Sequence, residues 1–236
     1  MLMSFPRAAS LQVRANSDKY IPDPKRETVV KTASMHVLVH RTAQNNLVVV
    51  RGSDSVSDWV KVNANMGMED APSLAGRLHK GFKWAAFSLI PDLMPAINLD
   101  LPTTFIGHSM GGAVAQILAA IFVKNHYEVT EVITFGQPKV GDKKFVEWYD
   151  DQSIITHRIV NQRDMVTTLP SRFGSYKHTK QVVYLSNGVK WKVPWYRSLR
   201  CFVSLLPKLI QIKSTDHSMA AYQQSVEREF AWQRKA

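Results

Sequence analysis

Apolar and polar positions change period several times along this chain, and each change marks an element. Residues 1–27 predict an entry segment, with a helix around Ala8 to Ala15 and a break at Pro22 and Pro24. From Thr28 to Val39 the pattern is β-like. After Gln44-Asn45-Asn46 comes Leu47-Val48-Val49-Val50, an unbroken apolar run of the kind carried by a strand buried on both faces. These two stretches predict a hairpin feeding a sheet. Residues 67–76 read as loop, and His79 then opens an apolar helix to about Leu93, with the rings of Phe82, Trp84 and Phe87 expected in the core. Further on, Leu101 to Ile106, Val129 to Phe135 and Ile154 to Val160 predict strands, separated by helical stretches at Ala113 to Ala120 and Lys143 to Tyr149. Gln181 to Leu185 and Val189 to Val193 flank a hairpin-type turn, Ser186-Asn187-Gly188. Leu199, Phe202, Val203, Leu206 and Ile210 recur at helical spacing interrupted by Pro207, and a polar helix capped by Ser214 or Asp216 closes the chain. Strands alternating with helices predict an α/β fold with a mostly parallel central sheet flanked by helices. In such folds functional groups gather at the carboxyl ends of the strands.

Composition narrows this picture. The chain has 236 residues, 45% hydrophobic and 21% charged, with no linker, low-complexity run or internal repeat, so one domain over residues 28–236 is expected behind the entry segment 1–27. No apolar run approaches a membrane span, and residues 1–16 hold no continuous apolar core of a signal peptide. The compartment stays open between the cytoplasm and secretion with a signal outside this chain. Cys201 is the single cysteine, which excludes an internal disulfide and leaves stability to the core. The formal charge of +11 is concentrated: no acidic residue occurs between Met165 and Thr215. A field of that sign attracts anions, but no nucleic-acid reading motif accompanies it, and nucleic acid is not expected as a partner.

Candidate chemistry centres on Gly107-His108-Ser109-Met110-Gly111, between a predicted strand and a predicted helix. A serine on such a turn is held at a strained backbone position with its hydroxyl clear of the sheet. A hydroxyl needs a base to become a nucleophile at neutral pH, and the base is usually a histidine oriented by a carboxylate. Of the 8 histidines, His126 closes the helix behind the serine and His157 lies within a strand, which leaves His178 and His217 downstream. His217 lies between the last strand and the final helix, where a base is expected. Among the acids, Asp142, Asp150 and Asp151 belong to a surface turn and a helix end, whereas Asp164 directly follows a strand. Neither a metal-ligand pattern nor a phosphate or dinucleotide loop is present, so no metal or cofactor is expected.

Taken together, Arg51-Gly52-Ser53 with Asp58-Trp59, His79-Lys80-Gly81-Phe82, Gly107 to Gly112, Phe135 to Asp142, Asn161 to Pro170 and Asp216-His217 resemble, in order, the blocks of the class 3, fungal-lipase-like branch of the α/β-hydrolases. The resemblance implies Ser109 as nucleophile, Asp164 as orienting acid and His217 as base. It implies an oxyanion hole from Ser53 and the Met110 N–H, and a short lid over Asp54 to Val62 with Val56, Trp59 and Val60 facing acyl chains. Val62 stands where the family often carries an acidic partner for the oxyanion serine. The implied activity is hydrolysis of fatty-acid esters, triacylglycerol first, with phospholipase A1 or soluble carboxylesterase activity as alternatives and a non-catalytic binding module as the alternative of another class. The implied partner is a lipid or ester substrate at a lipid–water interface.

Overall fold

In a computed structural model, the structure describes residues 3–52, 67–161, 164–170, 175–179, 182–185 and 214–233. The elements are α1 (Phe5–Asn16), β1 (Glu27–Lys31), β2 (His36–Arg41), β3 (Asn46–Val50), β4 (Met68–Asp70), β5 (Arg77–His79), α2 (Lys80–Leu93), β6 (Thr103–His108), α3 (Met110–Lys124), β7 (Val129–Phe135), α4 (Lys143–Asp151), β8 (Thr156–Asn161), β9 (Val182–Leu185), α5 (Ser214–His217) and α6 (Met219–Gln233). The central sheet has the order β1-β2-β3-β6-β7-β8-β9. Strands β1 to β3 form an antiparallel meander, and β3, β6, β7, β8 and β9 pair in parallel.

The chain crosses the sheet in one direction from β3 to β9, and helices α2, α3 and α4 share one core with one face of it. Val48, Val50, Phe105 and Val132 point into that layer, against Phe82, Leu89, Ile117 and Phe145. Alternate residues of the same strands, Leu47, Val49, Ile106 and Ile133, point to the opposite face and meet α1 and α6 through Ala8, Leu11, Tyr222 and Val226. A sheet covered on both faces explains the unbroken apolar run of β3 and the complete burial of β3 and β6, whose Thr103, Thr104 and His108 are buried along with Phe105 and Ile106. The entry helix therefore shares a core with the sheet. The helix and the turn after it also brace the end of β3: Gln12 Nε2 donates to the Val50 carbonyl at 3.1 Å, and Asp18 pairs with Arg51 at 2.5 Å.

Three local expectations change. The stretch Thr28 to Val39 is two strands, because Thr32 closes a turn: its N–H donates to Met35 O at 2.9 Å and its Oγ1 accepts from the Met35 N–H at 3.1 Å. Within residues 67–76 the structure has β4, paired antiparallel with β5, where a loop is expected. In α2, Phe82 is fully buried as expected, but Trp84 is 60% and Phe87 38% exposed, since they lie on the helix face turned from the sheet. The stretch 186–213, with its apolar, basic pattern, lies outside the described residues. Among the described residues no helix is long and apolar enough to cross a membrane.

Candidate active site

The end of β6 and the start of α3 form the turn that carries Ser109, whose backbone sits at φ 56° and ψ −127°. Sterics disfavour that region for any residue with a side chain, so packing must hold it. The packing is visible: a methyl group at Gly107 would lie 2.3 Å from the Gly111 carbonyl, so strand and helix touch backbone to backbone. The Ser109 N–H donates to Phe135 O of β7 at 2.9 Å, which locks the turn onto the neighbouring strand. Met110 is the first residue of α3, and its N–H is one of those a helix start leaves without an intrahelical acceptor.

Asp164 follows the carboxyl end of β8, and its N–H donates to Asn161 O at 2.9 Å. Its Oδ1 accepts from the Val166 N–H at 2.9 Å. Its Oδ2 accepts from His217 Nδ1 at 2.7 Å and from the Tyr222 hydroxyl at 2.6 Å. A carboxylate can only accept, so the His217 proton is on Nδ1 and Nε2 presents a lone pair. Ser109, Asp164 and His217 are at most 2% exposed. Among the described residues the buried Ser109 Oγ and His217 Nε2 have no hydrogen-bond partner, which leaves an unspent donor and an unspent acceptor at the strand ends. A methyl group on Gly136, at φ 61° after β7, would fall 2.7 Å from Asp164 Oδ2 and 2.9 Å from the His217 ring. The left-handed glycine thus clears the space in which acid and base meet.

Of the two histidines downstream of the serine that the sequence weighs, His217, the one it favours, meets Asp164, and His178 does not. His178 Nε2 donates to Thr167 O at 2.6 Å, bracing the loop after Asp164, and burial first and the Arg158 charge second push its pKa down to about 3. Asp142 caps α4 through the Phe145 N–H at 3.0 Å and pairs with Arg77, a structural role. The final helix α6 begins at Met219 and is capped by Ser218, whose Oγ accepts from the Ala221 N–H at 3.2 Å, so its cap lies downstream of the Ser214 or Asp216 that the sequence suggests. The chain turns at Ser218 between α5 and α6, which moves the cap downstream.

Three residues of the site escape sequence reasoning. Tyr222, fully buried on α6, bridges Asp164 and the Asn161 N–H, which its oxygen accepts at 3.1 Å. Asn161 Nδ2 donates to Asp216 O at 3.0 Å, and His108 Nε2 donates to His217 O at 2.7 Å. An aromatic or amide side chain at helical or strand spacing reads as core, and no local signal marks these. Ser53, Val56, Trp59 and Val60 lie outside the described residues. Among the described residues no group of three His, Cys, Asp or Glu side chains could hold a metal ion.

Comparison with known proteins agrees with this geometry. The chain is 27% identical over 183 residues to a secreted mono- and diacylglycerol lipase of Fusarium solani, covering 71% of this chain and 54% of that protein. It spans about half the length of the curated relatives it matches. The solved structure of Rhizomucor miehei triacylglyceride lipase superposes with a TM-score of 0.66 at 24% identity, over 75% of this chain and 77% of that one. Lipase II of Rhizopus niveus superposes with a TM-score of 0.65 at 20% identity, over 90% and 89%. These likenesses establish the α/β-hydrolase fold. The model of the family described as Lipase (class 3) matches residues 47–174, more than half of the chain, and this protein belongs to the class 3 lipase family.

Proposed function

We propose that the protein hydrolyses carboxylic esters of fatty acids through Ser109, His217 and Asp164. The observation that carries this reading is the buried Asp164 Oδ2 to His217 Nδ1 bond of 2.7 Å, with a His217 Nε2 and a Ser109 Oγ that have no partner among the described residues. In the proposed cycle the Ser109 Oγ attacks the acyl carbonyl while His217 Nε2 takes its proton. Asp164 stabilises the imidazolium that forms. The proton passes to the leaving alcohol, and water, deprotonated by the same nitrogen, releases the acid from the acyl-enzyme. The developing oxyanion is assigned to the Met110 N–H and Ser53, each such donor contributing roughly 10² to 10³ in rate.

The names of the relatives favour acylglycerols as substrates: the Fusarium solani protein is a mono- and diacylglycerol lipase, and the Rhizomucor miehei enzyme a triacylglyceride lipase. The test is hydrolysis of a p-nitrophenyl ester series, of emulsified mono-, di- and triacylglycerol and of phospholipid vesicles, with Ser109→Ala as control. Cleavage of long acyl chains that Ser109→Ala reduces at least about 10³-fold supports the proposal. Equal rates for wild type and variant on every ester overturn it, and cleavage of phospholipid alone replaces the substrate.

A further inference from the structure

The triad bond holds His217 only by its ring. The position of the residue along the site depends on its main chain, and that main chain belongs to α5, a helix of four residues that ends where the chain turns at Ser218. The last carbonyls of a helix have no intrahelical donor. Here two side chains from the sheet supply donors. Asn161, the last residue of β8, donates to the Asp216 carbonyl at 3.0 Å, and His108, the last residue of β6, donates to the His217 carbonyl at 2.7 Å. His108 immediately precedes the nucleophile. The backbone of the base is therefore tied, through one side chain, to the residue next to Ser109, across 109 positions of sequence.

The His108 ring is suited to this link. It is 6% exposed and lies 4.8 Å from the His217 ring at an interplanar angle of 33°, with Tyr222 at 6.0 Å on another side. Burial, and next the neighbouring His217, push its pKa down to about 3, so it remains neutral beside the nitrogen that must accept a proton. A neutral imidazole has one N–H, and the carbonyl contact assigns that proton to Nε2. A lysine or arginine there could also donate to the carbonyl but would set a permanent cation against the imidazolium.

We propose that His108 is a positioning residue of the reaction: its Nε2–H fixes the main chain of His217 relative to Ser109, as Asp164 fixes the ring. The inference rests on the serine-hydrolase reading of the site. Its consequence follows from the steepness of catalysis in distance, where a displacement of about 1 Å costs on the order of 10²-fold in rate. Losing one hydrogen bond displaces His217 part of the time, so a tenfold effect on kcat is the expected scale, with KM little changed because His108 touches the base and not the acyl chain.

The experiment compares His108→Phe, which keeps a buried ring but has no donor, with His108→Gln, which returns a donor. On a soluble short-chain p-nitrophenyl ester, His108→Phe is expected to lower kcat about tenfold or more with KM within about twofold, and His108→Gln to recover most of the loss. In the Ser109→Ala background, where no turnover intervenes, amide hydrogen exchange over residues 214–219 is expected to accelerate about tenfold in His108→Phe and far less in His108→Gln. Wild-type kcat in His108→Phe overturns the proposal, as does equal loss in both variants with unchanged exchange, which would leave only a packing role. A wild-type protein inert to every ester would sink the enzymatic reading. The exchange comparison would still decide whether His108 holds the base segment, and unchanged exchange would again overturn it.

Discussion

Replacing Tyr222 by Phe removes one oxygen from a fully buried position and tests the support of the acid. That oxygen donates to Asp164 Oδ2 at 2.6 Å and accepts from the Asn161 N–H at 3.1 Å. Its loss leaves the Asn161 N–H buried, at about 1–3 kcal/mol, and deprives a buried carboxylate of a bond in the 1.5–3 kcal/mol class. Partial relaxation reduces the total, and a destabilisation of about 2–4 kcal/mol is expected. For a chain of this size each kcal/mol lowers Tm by about 2–4 °C, so calorimetry should find a fall of roughly 5–15 °C. Catalysis should suffer less. Asp164 keeps its bonds to His217 Nδ1 and the Val166 N–H, so kcat should stay within about tenfold of wild type, whereas Asp164→Asn should lose about 10⁴-fold through the wrong histidine tautomer. A Tm within about 2 °C of wild type would refute the assigned role of the tyrosine. A folded variant with kcat down about 10³-fold would refute the division of labour between Tyr222 and His217.

Two further outcomes follow from backbone and burial. Ser109 stands at φ 56°, a conformation that glycine adopts freely, so Ser109→Gly should raise Tm by about 2–4 °C while abolishing hydrolysis; a lower Tm would mean the turn stores no strain. The His108 pKa lies below its unfolded value, so the unfolded chain binds the extra proton between about pH 6.5 and about 3. Stability is then fully present above about pH 6.5 and falls as pH drops, by up to about 1.4 kcal/mol per unit from this group, with buried His178 acting in the same direction. Thermal scans from neutral to acid pH should show a shallower decline in His108→Gln, and parallel curves for variant and wild type would contradict the burial argument.

How far the chain can be read without its fold depends on the range of the information. Strands β3 and β6, the turn at Ser109 and the helix behind it are set by neighbours in sequence: an apolar run in β3, β-prone residues in β6, two flanking glycines and strong helix formers. Chain order alone carried the serine, acid and histidine candidates, because in an α/β sheet the chain returns to the same edge after each strand. Short polar devices were missed for a local reason, as at Thr32, where one hydroxyl turns a β-like run into two strands. The sequence favours His217 over His178 by its place before the final helix, but the contact that distinguishes them is of another kind: Asp164 and His217 meet across 53 positions, while a carbonyl engages His178 elsewhere. Tyr222, Asn161 and His108 carry no local signal, since each reads as core until the tertiary structure brings a polar side-chain atom to Asp164, Asp216 or His217. Periodicity determines which face of an element is buried. Only the packing of elements distant in sequence decides what a buried polar atom meets, because a hydrogen bond depends on a few tenths of an ångström and on direction, and neither is encoded in a local pattern.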